Sequence, residues 1–275
     1  MKWDIDPVPF QCRPAHSIWM ASINSQKLQQ RYINKTRIDL MLKASSKEDK
    51  LVGKRAKKLP MMLWNMTHLW KELSDGSDFD KAVLDVAIVA FWGLARLSEL
   101  SYDSEFGAVS FTSSVLTSDV VFDPENNSFA TIVIQNAKTG APGKPQLITL
   151  REQDHVLCPI LALKQRLSSS LGTTSTLFGY MENGVQRHLT RRRVVTRVEQ
   201  VLAEGGYAGL HGHSFRVGGA SFRLALGMTT QDLCFLGRWK SDCYKLYIRP
   251  YDPDTKKKTL MLLSTLKSNW KRMGL

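Results

Sequence analysis

The chain has 275 residues, of which 43% are hydrophobic, and it carries a formal net charge of +13. This length and apolar content predict one large domain, alone or with a small second one, and the excess positive charge predicts a polyanionic partner such as nucleic acid. Two features argue against a membrane protein. Residues 1–10, MKWDIDPVPF, lack a basic and then apolar leader, and the longest apolar run, 82–97, is short and interrupted by Asp85.

Cysteine usage narrows the class further. The four cysteines, Cys12, Cys158, Cys234 and Cys243, are scattered without a CxxC pair. This spacing argues against a disulfide framework and against a zinc site. We therefore expect reduced thiols in an intracellular protein. The sequence also has no GxxxxGK[ST] motif and no acidic cluster for a two-metal site, so we expect no cofactor.

The beginning of the chain predicts a small N-terminal unit. Residues 27–43 have the spacing of an amphipathic helix with a basic face, and residues 44–58 have the composition of a linker. Four basic residues close this linker, and we call them the linker cluster: Lys54, Arg55, Lys57 and Lys58. A second domain is expected to begin near Pro60, so the predicted domains are 1–57 and 58–275.

The sequence of the second domain predicts helices before and after a small sheet. Asp78 or Asp80 is expected to cap a helix that runs to about Leu100. Residues 120–150 alternate between strands and turns, and from Cys158 onward the pattern is helical. We therefore predict a mainly α fold with a small three-stranded antiparallel sheet.

The basic clusters each have two interpretations. The linker cluster is either a solvated linker or part of a DNA-binding surface. Arg191, Arg192 and Arg193 open a predicted helix, where the macrodipole disfavours cations, so the triplet indicates a phosphate partner, although a solvated face explains it equally well. Together with the net charge, the clusters favour a surface that follows DNA.

Arg96 and Lys138 each admit a structural and a catalytic interpretation. Arg96 follows an apolar stretch, where an unpaired arginine is costly to bury. It can form an ion pair with Glu99, three residues later, or hold a phosphate with its planar guanidinium. Lys138, in QNAKTGAPG, is expected at a hairpin tip, where most lysines are simply solvated.

The segment 211–249 carries the most informative pattern. His213 and Arg216 lie one helical turn apart, so both can address one ligand. Trp239 is either a core residue or an indole N–H donor directed outward at a helix break. Tyr247 follows nearby, and a phenol close to cations and an indole suits attack on a phosphodiester.

In this order the residues resemble the catalytic signature of the tyrosine recombinase (phage integrase) family, over about residues 58–260. The matching segments are Arg96-Leu97-Ser98-Glu99-Leu100, Lys138-Thr139, His213-Ser214-Phe215-Arg216, Trp239 and Tyr247. The sequence GRWKSD is similar to eukaryotic mobile-element members, the Crypton and DIRS-like recombinases. Trp239 and Tyr247 are eight residues apart, one fewer than in many members, and Tyr244 is a rival nucleophile. We choose Tyr247 for its Tyr-Ile-Arg context.

The resemblance implies a site-specific recombinase or integrase that cuts and rejoins DNA through a 3′-phosphotyrosine, without metal or ATP. The implied roles are attack by Tyr247, transition-state stabilisation by Arg96 and Arg216, proton acceptance by His213, phosphate hydrogen bonding by Trp239, protonation of the leaving 5′-oxygen by Lys138, and orientation of the site by Glu99. The implied partner is double-stranded DNA, on which the chain would form a dimer or tetramer. The location would be intracellular: the nucleus for a eukaryotic mobile element, and otherwise the cytoplasm or nucleoid.

The same resemblance leaves three questions open. Residues 1–57 would be a helical remnant of the family's larger core-binding domain, followed by the basic linker. The apolar stripe of Leu260, Leu263 and Leu266 either packs on its own core or docks on a neighbouring protomer. The alternative functions are a domesticated DNA-binding protein that no longer cuts and a type IB topoisomerase-like nicking and closing enzyme.

Overall fold

The computed structural model describes residues 30, 34–44, 58–110, 114–135, 143–172 and 174–274. The chain divides into two compact units, Met1–Lys57 and Lys58–Leu275. In the first unit, residues 34–44 are helical, in agreement with most of the predicted helix there. Of the linker cluster, Lys54, Arg55 and Lys57 lie outside the described residues.

The second unit is built around one buried helix. Helix α1 (Leu63–Leu73) packs against α2 (Asp78–Trp92). Every residue of α2 from 82 to 92 is buried, as expected for a helix that is apolar on nearly all sides. This helix forms the centre of the main core.

Both ends of α2 correct the predicted helix. Its cap is Ser77 rather than Asp78 or Asp80, because the Ser77 hydroxyl accepts a hydrogen bond from the backbone N–H of Asp80. The helix ends before Gly93, where a Cβ atom would clash with the side chain of Ile148 in the neighbouring sheet. The helix therefore ends well short of Leu100, at a glycine that is itself a local stop signal.

A short helix follows this break. Leu94 has a positive φ of 48°, and α3 (Leu97–Leu100) begins directly afterwards. Arg96 is therefore the N-cap residue of α3 and not a residue in the body of a long helix. The turn lifts Arg96 out of the buried stretch that precedes it.

The predicted three-stranded antiparallel sheet is confirmed. A short 3₁₀ turn at Thr117–Asp119 leads into β1 (Val120–Phe122), which pairs with β2 (Phe129–Ile134), and β2 pairs with β3 (Gln146–Arg151). Alternate residues of β2 and β3 are buried, so one face packs on the core. The segment 136–142 between these strands, which includes Lys138, lies outside the described residues.

A second hairpin was not predicted. After α4 (Pro159–Ser168), β4 (Gly179–Glu182) and β5 (Val185–His188) pair antiparallel within a region predicted as helical. Their two-residue turn is Asn183-Gly184, and both residues have positive φ, at 52° and 75°. Asn-Gly is the strongest short-range signal for such a hairpin, so the sequence did contain the information.

The rest of the chain is helical, as predicted. It consists of α5 (Arg191–Glu204), α6 (Ser214–Ala225), α7 (Thr230–Gly237), a 3₁₀ turn (Asp242–Tyr247) and α8 (Pro253–Arg272). Helix α6 passes so close to its neighbours that a Cβ at Gly218 would clash with the carbonyl of Met61. A Cβ at Gly219 would likewise clash with the carbonyl of Phe91. These two glycines allow α6 to lie deep in the unit.

Part of helix α8 packs on its own unit. Thr259 and Leu266 are buried, and the helix contacts α1. The Lys258 ammonium lies over the Trp64 ring, 4.3 Å from the ring centroid. Of the predicted stripe, Leu266 is buried and Leu263 is partly buried against the core, whereas Leu260 is 45% exposed, so docking on a neighbouring protomer stays a prediction. Among the described helices, none is long and apolar enough to cross a membrane.

The core also contains an ion pair. Arg166 Nε of α4 lies 2.6 Å from Asp85 Oδ2 of α2, and both side chains are almost completely buried. Burial raises the pKa of Asp85 to about 7, although the charge of Arg166 acts in the opposite direction. The pair joins two helices far from the residues described next.

Candidate active site

The first turn of α6 positions two predicted residues. His213 is the N-cap residue of the helix, and Arg216 follows one turn later. The backbone here is anchored because the N–H of Met61 donates to the carbonyl of Ser214 at 2.9 Å. His213 is partly exposed, whereas Arg216 is only 1% exposed.

Arg216 lies between two aromatic rings. Its Cζ atom is 4.6 Å from the centroid of the Trp239 ring and 5.3 Å from that of the Tyr247 ring. The two ring centroids are themselves 5.3 Å apart. The structure thus brings together three of the predicted catalytic residues, which are up to 31 positions apart in the chain.

The N–H groups in this cluster are only partly used. Arg216 Nη2 donates to the carbonyl of Gly237 at 2.6 Å. Its Nε and Nη1, and the indole Nε1 of Trp239, are buried without a hydrogen-bond partner among the described residues. Buried donors are normally satisfied, so unpartnered donors beside a cation indicate a site for an anion.

Burial also perturbs the charge of Arg216. Desolvation, and then the nearby guanidinium groups of Arg96 and Arg238, lower the pKa of Arg216 to about 10. The side chain remains charged at neutral pH, but its charge is poorly compensated. A bound phosphate would provide the missing counter-charge.

Glu99 holds two arginines at once. Arg96 Nη1 donates to Glu99 Oε1 at 2.6 Å, and Arg238 Nη2 donates to Oε2 at 2.8 Å. Burial acts to raise the pKa of Glu99, but the charge of Arg238 and the backbone N–H of Arg96 outweigh it, and the pKa is lowered. The predicted ion pair between Arg96 and Glu99 is therefore present, and it has a third member.

Arg238 is a site residue that the sequence reasoning missed. It ends α7 in the left-handed conformation, with φ 60°, which is uncommon for a residue other than glycine. Besides Glu99, it contacts Gln146 of β3, with Nη1 at 3.5 Å from Oε1, and its Nε is buried without a partner in the described part of the chain. The only local signal was its position beside Trp239 at the predicted helix break.

His213 lies in a strongly positive environment. Partial burial, and then the charges of Lys58, Arg191, Arg216 and Arg96, lower its pKa below the usual histidine value. The imidazole is therefore neutral at pH 7 and able to accept a proton. The same interaction shows that Lys58 and Arg191, two predicted DNA-binding residues, lie close enough to this site to influence it.

The segment that carries Tyr247 is anchored on α6 and on the start of the unit. The hydroxyl of Ser221 accepts the backbone N–H of Arg249 at 2.8 Å, and Arg249 Nε donates to the carbonyl of Lys58 at 3.1 Å. Tyr247 thus faces Arg216, whereas the ring of Tyr244 has Lys245 as its nearest cation, at 5.9 Å. Of the two candidate nucleophiles, Tyr247 is the one beside the unpartnered donors.

Comparison with solved structures gives this fold a name. The chain matches the XerH site-specific recombinase bound to palindromic difH substrate, with a TM-score of 0.50 and 12% identity over 77% of this chain and 54% of that one. It matches the Tn1549 transposon integrase in complex with a circular intermediate DNA, with a TM-score of 0.50 and 13% identity over 76% of this chain and 67% of that one. The chain has the tyrosine recombinase fold.

The likeness to these tyrosine recombinases is one of fold, because the sequence identity is low. The chain spans about half the length of the XerH recombinase that it matches. No protein-family model matches the sequence, and no curated protein matches it significantly. The predicted fold is thus confirmed from structure alone.

In this fold, the three residues of the basic triplet, 191–193, lie in two different environments. Arg191 and Arg192 are exposed at the start of α5. Arg193 instead makes internal contacts, since its guanidinium hydrogen-bonds the Tyr180 hydroxyl and lies 3.3 Å from carboxylates of both Glu105 and Glu182. These contacts give Arg193 a structural explanation that the sequence pattern did not suggest.

The described residues contain no group of three or more His, Cys, Asp or Glu side chains placed to hold a metal ion. Glu99, the carboxylate within the described part of this cluster, is already engaged by two arginines. The arrangement is one of hydrogen-bond donors and positive charge, which can bind and polarise a phosphodiester.

Proposed function

We propose that the chain is a DNA strand-transfer enzyme that cleaves and rejoins DNA through a 3′-phosphotyrosine link to Tyr247. The observation that carries the proposal is the pair of unpartnered N–H groups on Arg216, buried beside the Tyr247 ring. A phosphodiester bound there would accept those hydrogen bonds and would lie next to the phenol. The net charge of +13 supports DNA as the partner.

The proposed step is a transesterification. The Tyr247 oxygen forms a bond to phosphorus, the bond from phosphorus to the 5′-oxygen breaks, and the phenol proton passes to neutral His213. Arg96 and Arg216 stabilise the charge that develops on the phosphate oxygens. On the family resemblance, Lys138 gives a proton to the leaving 5′-oxygen. Because the link to Tyr247 conserves the bond energy, rejoining needs no ATP.

Three finer proposals follow from the resemblance. Residues 1–57 are a remnant of a core-binding domain with a basic linker, and two or four copies of the chain assemble on double-stranded DNA. The XerH and Tn1549 structures are complexes with DNA, which supports DNA as the partner here. The chain is a mobile-element recombinase of Crypton or DIRS-like type and acts inside the cell, in the nucleus of a eukaryotic host.

The decisive test is to trap the covalent intermediate. The full chain is incubated with a pool of nicked suicide duplexes in EDTA and without ATP, and the products are separated on a denaturing gel. We expect a protein–DNA adduct with the wild-type chain, none with Tyr247→Phe because the attacking oxygen is lost, and near-normal amounts with Tyr244→Phe. DNA binding by Tyr247→Phe should be retained.

Each alternative has its own outcome in this experiment. If Tyr244→Phe is the inactive variant, Tyr247 is not the nucleophile. DNA binding without any adduct would favour the domesticated DNA-binding protein. An adduct accompanied by relaxation of supercoiled DNA, but by no recombinant products, would favour a topoisomerase-like enzyme. A strict magnesium requirement for cutting would contradict the proposed mechanism.

The protonation state of His213 predicts the pH dependence of cleavage. A base acts in its neutral form, and the lowered pKa of His213 keeps that form dominant at neutral pH. Single-turnover adduct formation should therefore be flat between about pH 7 and 8. It should fall as the pH drops below the usual histidine value of about 6.5. His213→Gln should lower the plateau and remove this decline. A rate that still rises about tenfold per unit above pH 7 would contradict the assignment.

A further inference from the structure

A groove opens beside the proposed active site. One side is formed by residues 144–147 at the start of β3, and the other by Phe235 of α7 and the segment 238–240. Its volume is about 370 Å³. Arg238 and Trp239 belong both to this groove and to the cluster around Tyr247, so the groove continues directly from the place where a strand would be cut.

One wall of the groove is an exposed aromatic ring. Phe235 is 85% exposed, and Leu147 opposite it is 53% exposed. A phenylalanine so open to water contributes little to the stability of the unit. Its ring face is available to stack on a planar ligand.

The other features of the groove favour an anionic ligand. Lys144 and Lys240 are exposed at its rim, and no acidic side chain lines it among the described residues. Glu99, which contacts Arg238 of the groove, is itself paired with two arginines. The buried Nε1 of Trp239 and Nε of Arg238 have no hydrogen-bond partner in the described structure.

We propose that this groove binds single-stranded DNA, namely the strand released next to the cut, with a base stacked on Phe235 and phosphates near Lys144 and Lys240. A positively charged groove with an aromatic platform is the common arrangement for holding unpaired strands. The proposal rests on the proposed function, because only cleavage releases a strand there. Paired bases inside a duplex could not present a face to Phe235, so the ligand must be unpaired.

The first test measures binding of the full chain to a fluorescent single-stranded oligonucleotide with a 5′-hydroxyl. We expect Phe235→Ala to weaken binding by roughly tenfold, the scale of losing one stacked base. Phe235→Trp should restore it. The matched control is Phe106→Ala, which removes a phenylalanine that is 54% exposed, lies under Arg187 and does not line the groove, and it should have no effect. Unchanged binding by Phe235→Ala, or equal loss in the control, overturns the proposal.

A second measurement separates this proposal from the proposed function. Phe235→Ala should form the covalent adduct within about threefold of the wild-type rate but should transfer the released strand to a partner duplex roughly tenfold less efficiently. Loss of strand transfer without loss of adduct locates the defect in the groove, whereas failure of the wild-type chain to form any adduct would refute the proposed function instead. If Phe235→Ala alters self-association in sedimentation while single-strand binding is unchanged, the groove binds a second copy of the chain and the proposal is wrong.

Discussion

Replacing Arg216 with lysine should lower the rate of covalent adduct formation by about 100-fold or more, the scale for losing a donor that stabilises a developing oxyanion. The guanidinium donates to the carbonyl of Gly237 while two further N–H groups stay free beside Tyr247. A lysine ammonium carries its three N–H donors on one nitrogen, so it cannot reach both places at once as the planar guanidinium does. Equal formal charge therefore does not preserve the function.

Folding and binding measurements distinguish this effect from a structural one. The unfolding midpoint of Arg216→Lys should change little, because the buried guanidinium is poorly compensated in the free protein. Duplex binding should also persist, since many cations contribute to it. The control is Arg192→Lys at the exposed start of α5, and this variant should cleave DNA normally. Near-normal cleavage by Arg216→Lys would contradict the proposed phosphate-binding role of Arg216.

Replacing Asp85 with alanine should lower the free energy of unfolding by about 3–5 kcal/mol. The change leaves Arg166 buried without its counter-charge, 2.6 Å from where the carboxylate was. The high cost comes from the isolated charge rather than from the loss of a favourable pair. Denaturant unfolding measures it directly, and the double change of Asp85→Leu with Arg166→Met should recover most of the loss.

The double change is also the critical control. The two single variants for comparison are Asp85→Leu and Arg166→Met. If their losses of unfolding free energy simply add up in the double variant, the residues are not coupled and the ion pair has been misinterpreted. DNA cleavage by the double variant should remain close to that of the wild type, because the pair lies on α2 and α4, outside the cluster around Tyr247.

Sequence patterns predicted those helices and strands whose bounds depend on neighbouring residues. The three strands of the sheet follow from alternation between turn signals, and α5 begins at the predicted Arg191 because Thr190 caps it. The end of α2 was predicted wrongly, although Gly93 is a local stop signal. The sequence could not show how closely Gly93 approaches Ile148, a residue 55 positions later in the chain.

Some residues of the candidate site could also be predicted from the sequence, and others could not. Arg216, Trp239 and Tyr247 were found because their types and order match a chemical need, and the structure places them side by side. Arg238 could not be distinguished from a solvated arginine without the position of Glu99. Arg193 resembled a phosphate ligand because its carboxylate partners, Glu105 and Glu182, are 88 and 11 positions away, outside the spacing of a helical ion pair.

The three guanidinium groups around Glu99 have one more consequence. Arg96, Arg216 and Arg238 face a single carboxylate, so these described groups together keep two uncompensated positive charges. An intact phosphodiester would neutralise one of them. Under the proposed mechanism, the pentacoordinate phosphorus species formed as Tyr247 adds to it carries two negative charges, which match the two uncompensated guanidinium charges, while the phenol proton resides on His213. Such a site holds the transition state more strongly than it holds DNA before or after the reaction.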